Sequence, residues 1–271
     1  MSNLQLRVIS SIALAVIALS ITWLGGVAFR VLAGAIALAI IYEWSRMSVA
    51  QDAVALKIGS GAMLAIAMIG LVLGYPADIL IASVGAAAAV SLVFGVVTGQ
   101  GSETAISLVY AGMAGISLAF LRDSDTTGLL AILFLFAVVW ATDIFAYFVG
   151  RTFGGAKLAP SISPGKTWSG AIGGTVGGIV AGIAVALAAG FANGVLLAVV
   201  AFLLSVVSQL GDLFESGVKR RHGAKDSGTM IPGHGGVMDR VDGLVAAAFA
   251  LYLIGAATGG MEHPAHSLFA R

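Results

Sequence analysis

The residues best suited to chemistry are concentrated in one polar stretch, residues 212–243, of an otherwise apolar chain. Only 10% of the chain is charged, yet this stretch holds five of the fourteen Lys and Arg residues and five acidic residues. They are Lys219, Arg220, Arg221, Lys225 and Arg240, and Asp212, Glu215, Asp226, Asp239 and Asp242. Basic side chains bind phosphate groups, and carboxylates bind hard cations. The stretch therefore predicts a site for a phosphate-bearing substrate and a metal ion.

The available ligands favour a particular kind of metal. The chain has no cysteine and only four histidines, and oxygen ligands favour a hard cation such as Mg²⁺. Asp212 and Asp239, towards the two ends of the stretch, are the predicted ligands, with scope for a second cation, monovalent or divalent. Asp242 opens the next apolar segment, where it could act at the site or cap a helix. Both interpretations stay open.

The turn between these charges contains a histidine among glycines. Gly235 and Gly236 follow His234, and glycines let backbone amides approach a ligand closely. His234 could therefore contact phosphate, or it could bond a loop carbonyl. The bases expected to hold phosphates are Lys219, Arg220 and Lys225.

A second polar segment precedes the apolar run that begins at Trp168. Ser163, Lys166 and Thr167 form a hydroxyl-rich, lysine-bearing turn, which could seat a phosphate at a helix start or simply cap that helix. The Gly-x4-Gly-Lys-Ser/Thr pattern of a P-loop is absent. Asp143 lies near the end of the preceding apolar run. An acid at membrane depth is costly, so Asp143 predicts an internal cavity.

The elements that must position these residues are membrane spans. The chain is 59% hydrophobic with a mean hydropathy of +1.03, and lipid-exposed backbone must be helical unless it closes a barrel. Runs of about 20 apolar residues predict spans at roughly 8–24, 27–45, 57–75, 78–98, 104–121, 127–149, 168–190, 194–215 and 242–260. We therefore expect an all-α, polytopic integral membrane protein with about nine transmembrane helices.

Small and polar residues indicate how two of these spans pack. Glycine recurs at every fourth position in the seventh span, at 170, 174, 178 and 182, which is typical of close helix–helix approach. On the eighth span, polar residues recur at intervals of three or four and share one helical face. They are Ser205, Ser208, Asp212, Glu215 and Lys219. This face should meet protein or a wet cavity and not lipid.

Charge asymmetry predicts the orientation. With a cytoplasmic N-terminus, eleven of the fourteen Lys and Arg residues lie inside, as the positive-inside rule requires. The loops 150–167 and 216–241 then share the cytoplasmic side. We expect residues 1–125 to form N-terminal helices and residues 126–271 to form the catalytic region. A net charge of +1 gives no indication of a nucleic-acid partner.

Together these residues resemble the signature of an enzyme family. The pattern Ser216-x-Val218-Lys219-Arg220-x4-Lys225-Asp226-x-Gly228-x2-Ile231-Pro232-x-His234-Gly235-Gly236-Val237-x-Asp239-Arg240-Val241-Asp242 is similar to that of the phosphatidate cytidylyltransferases, or CDP-diacylglycerol synthases. The segments DIFAYFVGR at 143–151 and SPGKT at 163–167 are similar to two more of its segments. Phe145 stands where glycine is common, and Ser169 where an acid is common.

The resemblance implies transfer of a cytidylyl group from CTP to phosphatidate in a bacterial-type inner membrane, giving CDP-diacylglycerol and pyrophosphate. The implied catalytic residues are Lys219, Arg220, Lys225, Asp226, His234 and Arg240. The implied substrate-binding residues are Ser163, Lys166, Thr167, Asp143, Ser216, Gly235, Gly236 and Asp242. The expected partners are CTP, phosphatidate and membrane lipid, without nucleic acid, and a homodimer is left open.

Two alternatives remain at this stage. A relative acting on another lipid, such as a CTP-dependent polyprenol kinase or an archaeal-type cytidylyltransferase, is the nearer one, although the full signature disfavours the kinase. An anion transporter is the alternative from another class. It would predict charges at the membrane midplane and inverted repeats, whereas the charges here cluster towards one side.

Overall fold

The computed structural model describes residues 3–48, 53–99, 101–191, 193–231 and 235–269. Within these ranges the chain forms nine helices and one two-stranded sheet. Eight of the described helices are long and apolar enough to cross a membrane, which confirms the predicted all-α polytopic membrane fold. The helices are α1 Asn3–Leu24, α2 Gly26–Ser48, α3 Val54–Leu73, α4 Ala77–Val97, α5 Glu103–Arg122, α6 Thr126–Phe153, α7 Trp168–Ala189, α8 Gly194–Arg221 and α9 Met238–Gly259. The predicted span 8–24 falls in α1, whose described side chains begin at Ser11.

Two helices extend further than their apolar runs. Helix α6 continues to Phe153, and α8 continues to Arg221, well past the predicted ends at 149 and 215. In α8 the extension is supported by a Glu215–Lys219 pair one turn apart and by basic residues in the last turn, which complement the helix dipole. The predicted loop 216–241 is therefore shorter, and Lys219 and Arg220 are helical residues.

The segment before α7 forms a β-hairpin, where the sequence predicted only a loop and a turn. Strands β1 Lys157–Ala159 and β2 Ser163–Thr167 pair antiparallel, with Lys157 opposite Thr167 and Ala159 opposite Ser163. Pro164 is tolerated because each strand of a two-stranded sheet has an open edge. The hairpin fixes the direction in which Lys166 and Thr167 leave the backbone, which a flexible loop would not do.

The chain divides into two compact units, each formed from two stretches of sequence. The first consists of Met1–Phe120 and His222–Arg240, and the second of Leu121–Arg221 and Val241–Arg271. In the first unit α2 packs against α3 and α3 against α4. Its core includes Ile40, Trp44, Leu64 and Leu71, which are nearly inaccessible to solvent.

The second unit is organised by the predicted glycine stripe of α7, which packs directly on α6 and α8. A β-carbon at Gly174 would lie 2.7 Å from the Thr142 carbonyl oxygen, and one at Gly182 would lie 2.7 Å from the Ala201 β-carbon. Such distances leave no room for a side chain. The prediction that these glycines serve close helix packing is therefore confirmed for α7.

Polar contacts link the same helices and explain the polar face of α8. The Thr142 hydroxyl donates to Ser205 Oγ at 2.8 Å, and the Gln209 side-chain amide donates to Thr175 Oγ1 at 3.1 Å. Ser205, Ser208 and Glu215 are buried. This face of α8 therefore meets protein, as expected. Large apolar side chains elsewhere on these helices, such as Val176 and Val180, are exposed, as a lipid-facing surface requires.

Candidate active site

A cavity of about 590 Å³ opens in the second unit, between α6, α7, α8 and the hairpin. Its lining combines helix residues with residues from both strands. The residues are Asp143, Ala146, Tyr147, Gly150, Arg151, Lys157, Leu158, Gly165, Lys166, Thr167, Gly170, Ala171, Gln209 and Asp212. Four of the residues singled out from the sequence are among them, namely Asp143, Lys166, Thr167 and Asp212. The volume is in the range of cavities that bind small molecules.

The strongest charged contact in this cavity joins its two sides. Lys166 Nζ, from β2, lies 2.6 Å from Asp212 Oδ2, from α8, and both side chains are about one-third exposed. The Ser216 hydroxyl donates to the other carboxylate oxygen of Asp212 at 3.3 Å. An ion pair that remains accessible to water contributes little to stability. The pair can therefore exchange its partners for the phosphate and cation of a ligand.

Two more carboxylates lie within electrostatic reach of Asp212. Asp143, from α6, interacts with Asp212 and Lys166, and Asp242, from α9, interacts with Asp212, Asp143 and Lys219. Asp242 is brought to α8 by small residues, since a β-carbon at Gly211 would lie 3.0 Å from the Asp242 carbonyl oxygen. Like charges held this close repel one another, and a cation relieves that repulsion.

The predicted phosphate-binding bases on α8 have partners within the protein. Lys219 is buried and lies 3.0 Å from the fully buried Glu215. Arg220 is exposed, and its Nε donates to the Ile162 carbonyl oxygen, in the turn of the hairpin, at 3.3 Å. Arg220 thus joins the end of α8 to the segment that carries Ser163 and Lys166. Ser163 itself begins β2 and is half-buried.

Thr167 acts as the N-cap of α7. Its hydroxyl accepts a hydrogen bond from the Gly170 amide at 3.1 Å, and its backbone is extended. The same side chain lines the cavity and is 6% exposed. The capping interpretation of the sequence is therefore correct, and proximity to a bound phosphate is compatible with it because the α7 N-terminus faces the cavity through Gly170 and Ala171.

The loop between α8 and α9 is organised in the first unit by a buried acid of α2. Glu43 is 1% exposed. Its Oε1 accepts the Val237 amide at 2.9 Å, and its Oε2 accepts the Met238 amide at 2.8 Å and the Ser227 hydroxyl at 3.1 Å. A β-carbon at Gly228 would lie 2.7 Å from Glu43 Oε1. The glycine there is explained by this close approach.

Asp239 stabilises the same loop from within. Its Oδ2 accepts the amides of Ser227 and Gly236, each at 2.9 Å. Gly236 is buried, and any β-carbon there would overlap the Ser227 hydroxyl. Gly235 has a φ of +86°, a conformation that favours glycine. Both glycines therefore have a role in folding the loop, beside the predicted approach of a ligand.

The remaining predicted residues of this loop are at the surface of the first unit. Lys225, Asp226 and Arg240 are exposed. Ile231 and Gly235 close the turn through an isolated bridge, with the Ile231 amide donating to the Gly235 carbonyl at 2.9 Å. His234 lies outside the described residues. Asp212 belongs to the second unit and Asp239 to the first.

Sequence reasoning missed several contributors. Glu43 was passed over, although a lone acid inside an apolar helix is a recognisable signal of an internal role. Lys157 was counted only as a cytoplasmic charge, and Arg151 was noted only as part of the segment 143–151, yet both line the cavity. Gln209 and Tyr147 line it as well. Tyr147 accepts a hydrogen bond from Arg151 Nη1 at 2.8 Å. Tyr147 belongs to the segment 143–151 noted above, whereas no pattern in the chain distinguishes Gln209.

Comparisons with known proteins agree over almost the whole chain. Residues 5–257 match the "Cytidylyltransferase family". The protein named "Phosphatidate cytidylyltransferase" from Brucella suis biovar 1 (strain 1330) is 48% identical over 269 residues, 99% of each chain. The protein of the same name from Brucella abortus biovar 1 (strain 9-941) is 50% identical over 256 residues, 94% of each chain. One from Staphylococcus saprophyticus is 41% identical over 141 residues, which are 52% of this chain and 54% of that one.

The fold and the cavity define a class, that of integral membrane proteins with a charged cavity among their helices. The family match narrows this class to one chemistry. The chain belongs to the cytidylyltransferase family and is a nucleotidyltransferase.

Proposed function

We propose that the protein transfers a cytidylyl group from CTP to phosphatidate, giving CDP-diacylglycerol and pyrophosphate. The shared name of relatives that are about half identical over nearly their full length supports this substrate pair. The observation that carries the proposal is the Lys166–Asp212 pair, which faces a cavity large enough for a nucleotide and accessible to water.

The reaction exchanges one phosphorus–oxygen bond for another. An oxygen of the phosphatidate phosphate attacks the α-phosphorus of CTP, and the bond to the β-phosphate breaks as pyrophosphate leaves. The attacking phosphate is already an anion near neutral pH, since its second pKa is about 6. No general base is required. Alignment and charge neutralisation then account for the acceleration.

The bases around the cavity supply the positive charge. Arg151 comes from α6, Lys157 from β1 and Lys166 from β2, and all three line the same cavity. On binding, the triphosphate would take Lys166 away from Asp212. Arg220 and Lys219 would act from the end of α8. Lys225, Asp226, His234 and Arg240 remain proposed contributors from the loop.

A magnesium ion fits the donor set of the second unit. Asp212 offers a hard, part-exposed carboxylate, and Asp143 and Asp242 are carboxylates within its electrostatic reach. We propose Asp212 as a ligand from this unit and, on the sequence pattern alone, Asp239 of the first unit as the other. When bound, the ion would supply Lewis-acid stabilisation of the triphosphate. A second cation, monovalent or divalent, remains part of the proposal.

The proposed location is a bacterial inner membrane with a cytoplasmic active site. The named relatives are bacterial, and the Lys and Arg distribution predicts that the ends of α6 and α8 that border the cavity are cytoplasmic. At the cytoplasmic ends of these helices, a lipid headgroup and soluble CTP could both reach the same cavity. A homodimer stays a prediction, and light scattering of the detergent-solubilised protein would measure its mass.

The direct experiment supplies purified protein with labelled CTP, Mg²⁺ and phosphatidate, and separates the lipid products. A cytidylylated lipid, with pyrophosphate released in equal amount, is the expected result. The Lys166→Met variant should lose most of this product. A phosphorylated lipid without a cytidylyl group would instead establish the polyprenol-kinase alternative.

A further inference from the structure

Four side chains converge at the opposite end of α6 from the cavity. They form what we term the His–Asp cluster, which consists of Asp123, Asp125, His263 and His266. His263 Nδ1 lies 2.6 Å from Asp123 Oδ2, and His266 Nε2 lies 2.7 Å from Asp125 Oδ2 and 3.8 Å from Asp123 Oδ2. Because α6 has 28 residues, the cluster lies about 40 Å along the helix from the cavity end. The proposed reaction does not use it.

The two carboxylates are oriented by the backbone around them. Asp123 Oδ1 accepts the Ser124 amide at 2.7 Å, and Asp125 Oδ1 accepts the Gly128 amide at 2.8 Å as the N-cap of α6. These bonds leave the Oδ2 atoms directed at the histidines. Asp123 has a φ of +43°, and no other non-glycine residue in the described ranges has a positive φ. The backbone is therefore held in an uncommon conformation at this point.

The histidines are presented by a turn that is fixed independently of them. Ala265 and Phe269, in the segment after α9, are buried. The Phe269 ring packs edge-on against Phe134 and Phe191, with centroids 5.2 and 5.5 Å apart. The His266 amide donates to the His263 carbonyl at 3.1 Å, and the two imidazoles are stacked with their centroids 5.1 Å apart. The cluster thus consists of two prearranged halves.

We propose that the His–Asp cluster binds a zinc ion through His263, His266, Asp123 and Asp125. Two imidazole nitrogens and two carboxylate oxygens make a donor set that suits zinc better than magnesium or calcium. The candidate atoms of Asp123, His263 and His266 all lie within 4.8 Å of one another. Ligands about 2.1 Å from a tetrahedral ion are about 3.4 Å apart, so small rotations of these three side chains suffice. Asp125, which contacts His266 Nε2, would supply the fourth ligand.

The alternative is that the histidines only form hydrogen bonds with the aspartates. Such charge-assisted bonds would use the same atoms at the same distances. The two cases differ in whether protons are released and whether a metal ion is retained. Zinc binding displaces the protons shared between imidazole and carboxylate, and it leaves a stoichiometric metal in the protein. A bound ion would fasten the segment after α9 to the loop before α6.

The experiment uses the full-length protein in detergent, with its affinity tag removed and its metals stripped by a chelator. After incubation with micromolar Zn²⁺ and gel filtration, we expect one zinc per chain by mass spectrometry. Near-saturating zinc should raise the Tm by roughly 5 °C. Co²⁺ in place of zinc should give the visible absorption of tetrahedral coordination.

The test variant is His263→Gln with His266→Gln, since glutamine retains hydrogen bonding but is a poor zinc ligand. It should retain no zinc and show no Tm response. The control, His222→Ala, removes a histidine from another part of the chain and should bind zinc as the unaltered protein does. Equal zinc retention in the Gln variant, or no retention by the unaltered protein, would overturn the proposal. Cytidylyltransferase activity in Mg²⁺ should be unchanged in the Gln variant, so the zinc proposal and the proposed function fail separately.

Discussion

Two acids of the first unit, Glu43 and Asp239, are placed differently from Asp212 of the second. In the first unit Glu43 and Asp239 direct their oxygens at five hydrogen-bond donors, four of them backbone amides of the loop between α8 and α9. In the second unit Asp212 is part-exposed and contacts the Lys166 ammonium group in a cavity. Glu43 is held by hydrogen bonds to the backbone and keeps its partners, whereas Asp212 can replace its ion-pair partner Lys166 when a ligand binds.

This difference separates acids that build the site from acids that react with a ligand. A buried carboxylate bonded to amides fixes backbone positions, and its loss leaves donors unsatisfied. A carboxylate in a cavity contributes little to stability but can bind a cation. The comparison predicts that substitutions in the second unit reduce activity more than stability, and that those at Glu43 reduce both.

The largest expected effect is that of Asp212→Asn. Asparagine preserves the shape but removes the charge that would bind Mg²⁺ and pair with Lys166. We expect turnover to fall by about a hundredfold or more, with a weaker dependence on Mg²⁺ and a Tm within about 2 °C of the unaltered protein. Steady-state assays over a range of Mg²⁺ concentrations measure the turnover and its Mg²⁺ dependence, and thermal unfolding measures the Tm. Asp78→Asn in α4 is the matched control. Near-normal turnover with unchanged Mg²⁺ dependence would remove Asp212 from the site.

Asp239→Asn tests whether Asp239, which helps to fold the loop of the first unit, also binds the metal ion. The asparagine oxygen can still accept the Ser227 and Gly236 amides, so the loop should remain folded. If Asp239 is a metal ligand, turnover should fall almost as far as in Asp212→Asn, again with altered Mg²⁺ dependence. Full activity with a normal Mg²⁺ response would mean that Asp239 only folds the loop.

Glu43→Ala should be the most destabilising of these changes. It leaves the Val237 and Met238 amides without an acceptor in a buried place, which should lower the free energy of unfolding by about 3 kcal/mol. Denaturant unfolding in detergent measures this quantity. Glu43→Gln retains one acceptor oxygen and should lose less. The control is Glu262→Gln, at an exposed position. A Glu43→Ala protein with unchanged stability would contradict the anchoring role.

Much of this arrangement could be predicted from the sequence, for physical reasons. Apolar runs specify spans because lipid allows few alternatives, and the glycine stripe of α7 specifies its close packing. The charge distribution predicted that the loops 150–167 and 216–241 share one side of the membrane. It could not specify the Lys166–Asp212 contact, because that contact depends on a hairpin whose strands have no alternating pattern. Glu43 is recognisable as a lone acid in an apolar helix, but its partners were not predictable, because most of them are backbone amides nearly two hundred residues away and backbone groups leave no mark in a sequence.

The smallest predicted effect concerns Thr167, where capping and phosphate binding can be separated. Thr167→Ala removes the acceptor of the Gly170 amide and should cost about 1 kcal/mol of stability. Thr167→Asn restores a good capping oxygen but offers no hydroxyl to a phosphate.

If capping is the whole role, Thr167→Asn should recover both Tm and the KM for CTP. If the hydroxyl also binds phosphate, Tm should recover while KM stays raised. Because Thr167 lines the cavity beside Lys166, we expect the second result, with Thr167→Ser normal in both measurements. A normal KM in Thr167→Asn would assign the residue to the helix alone.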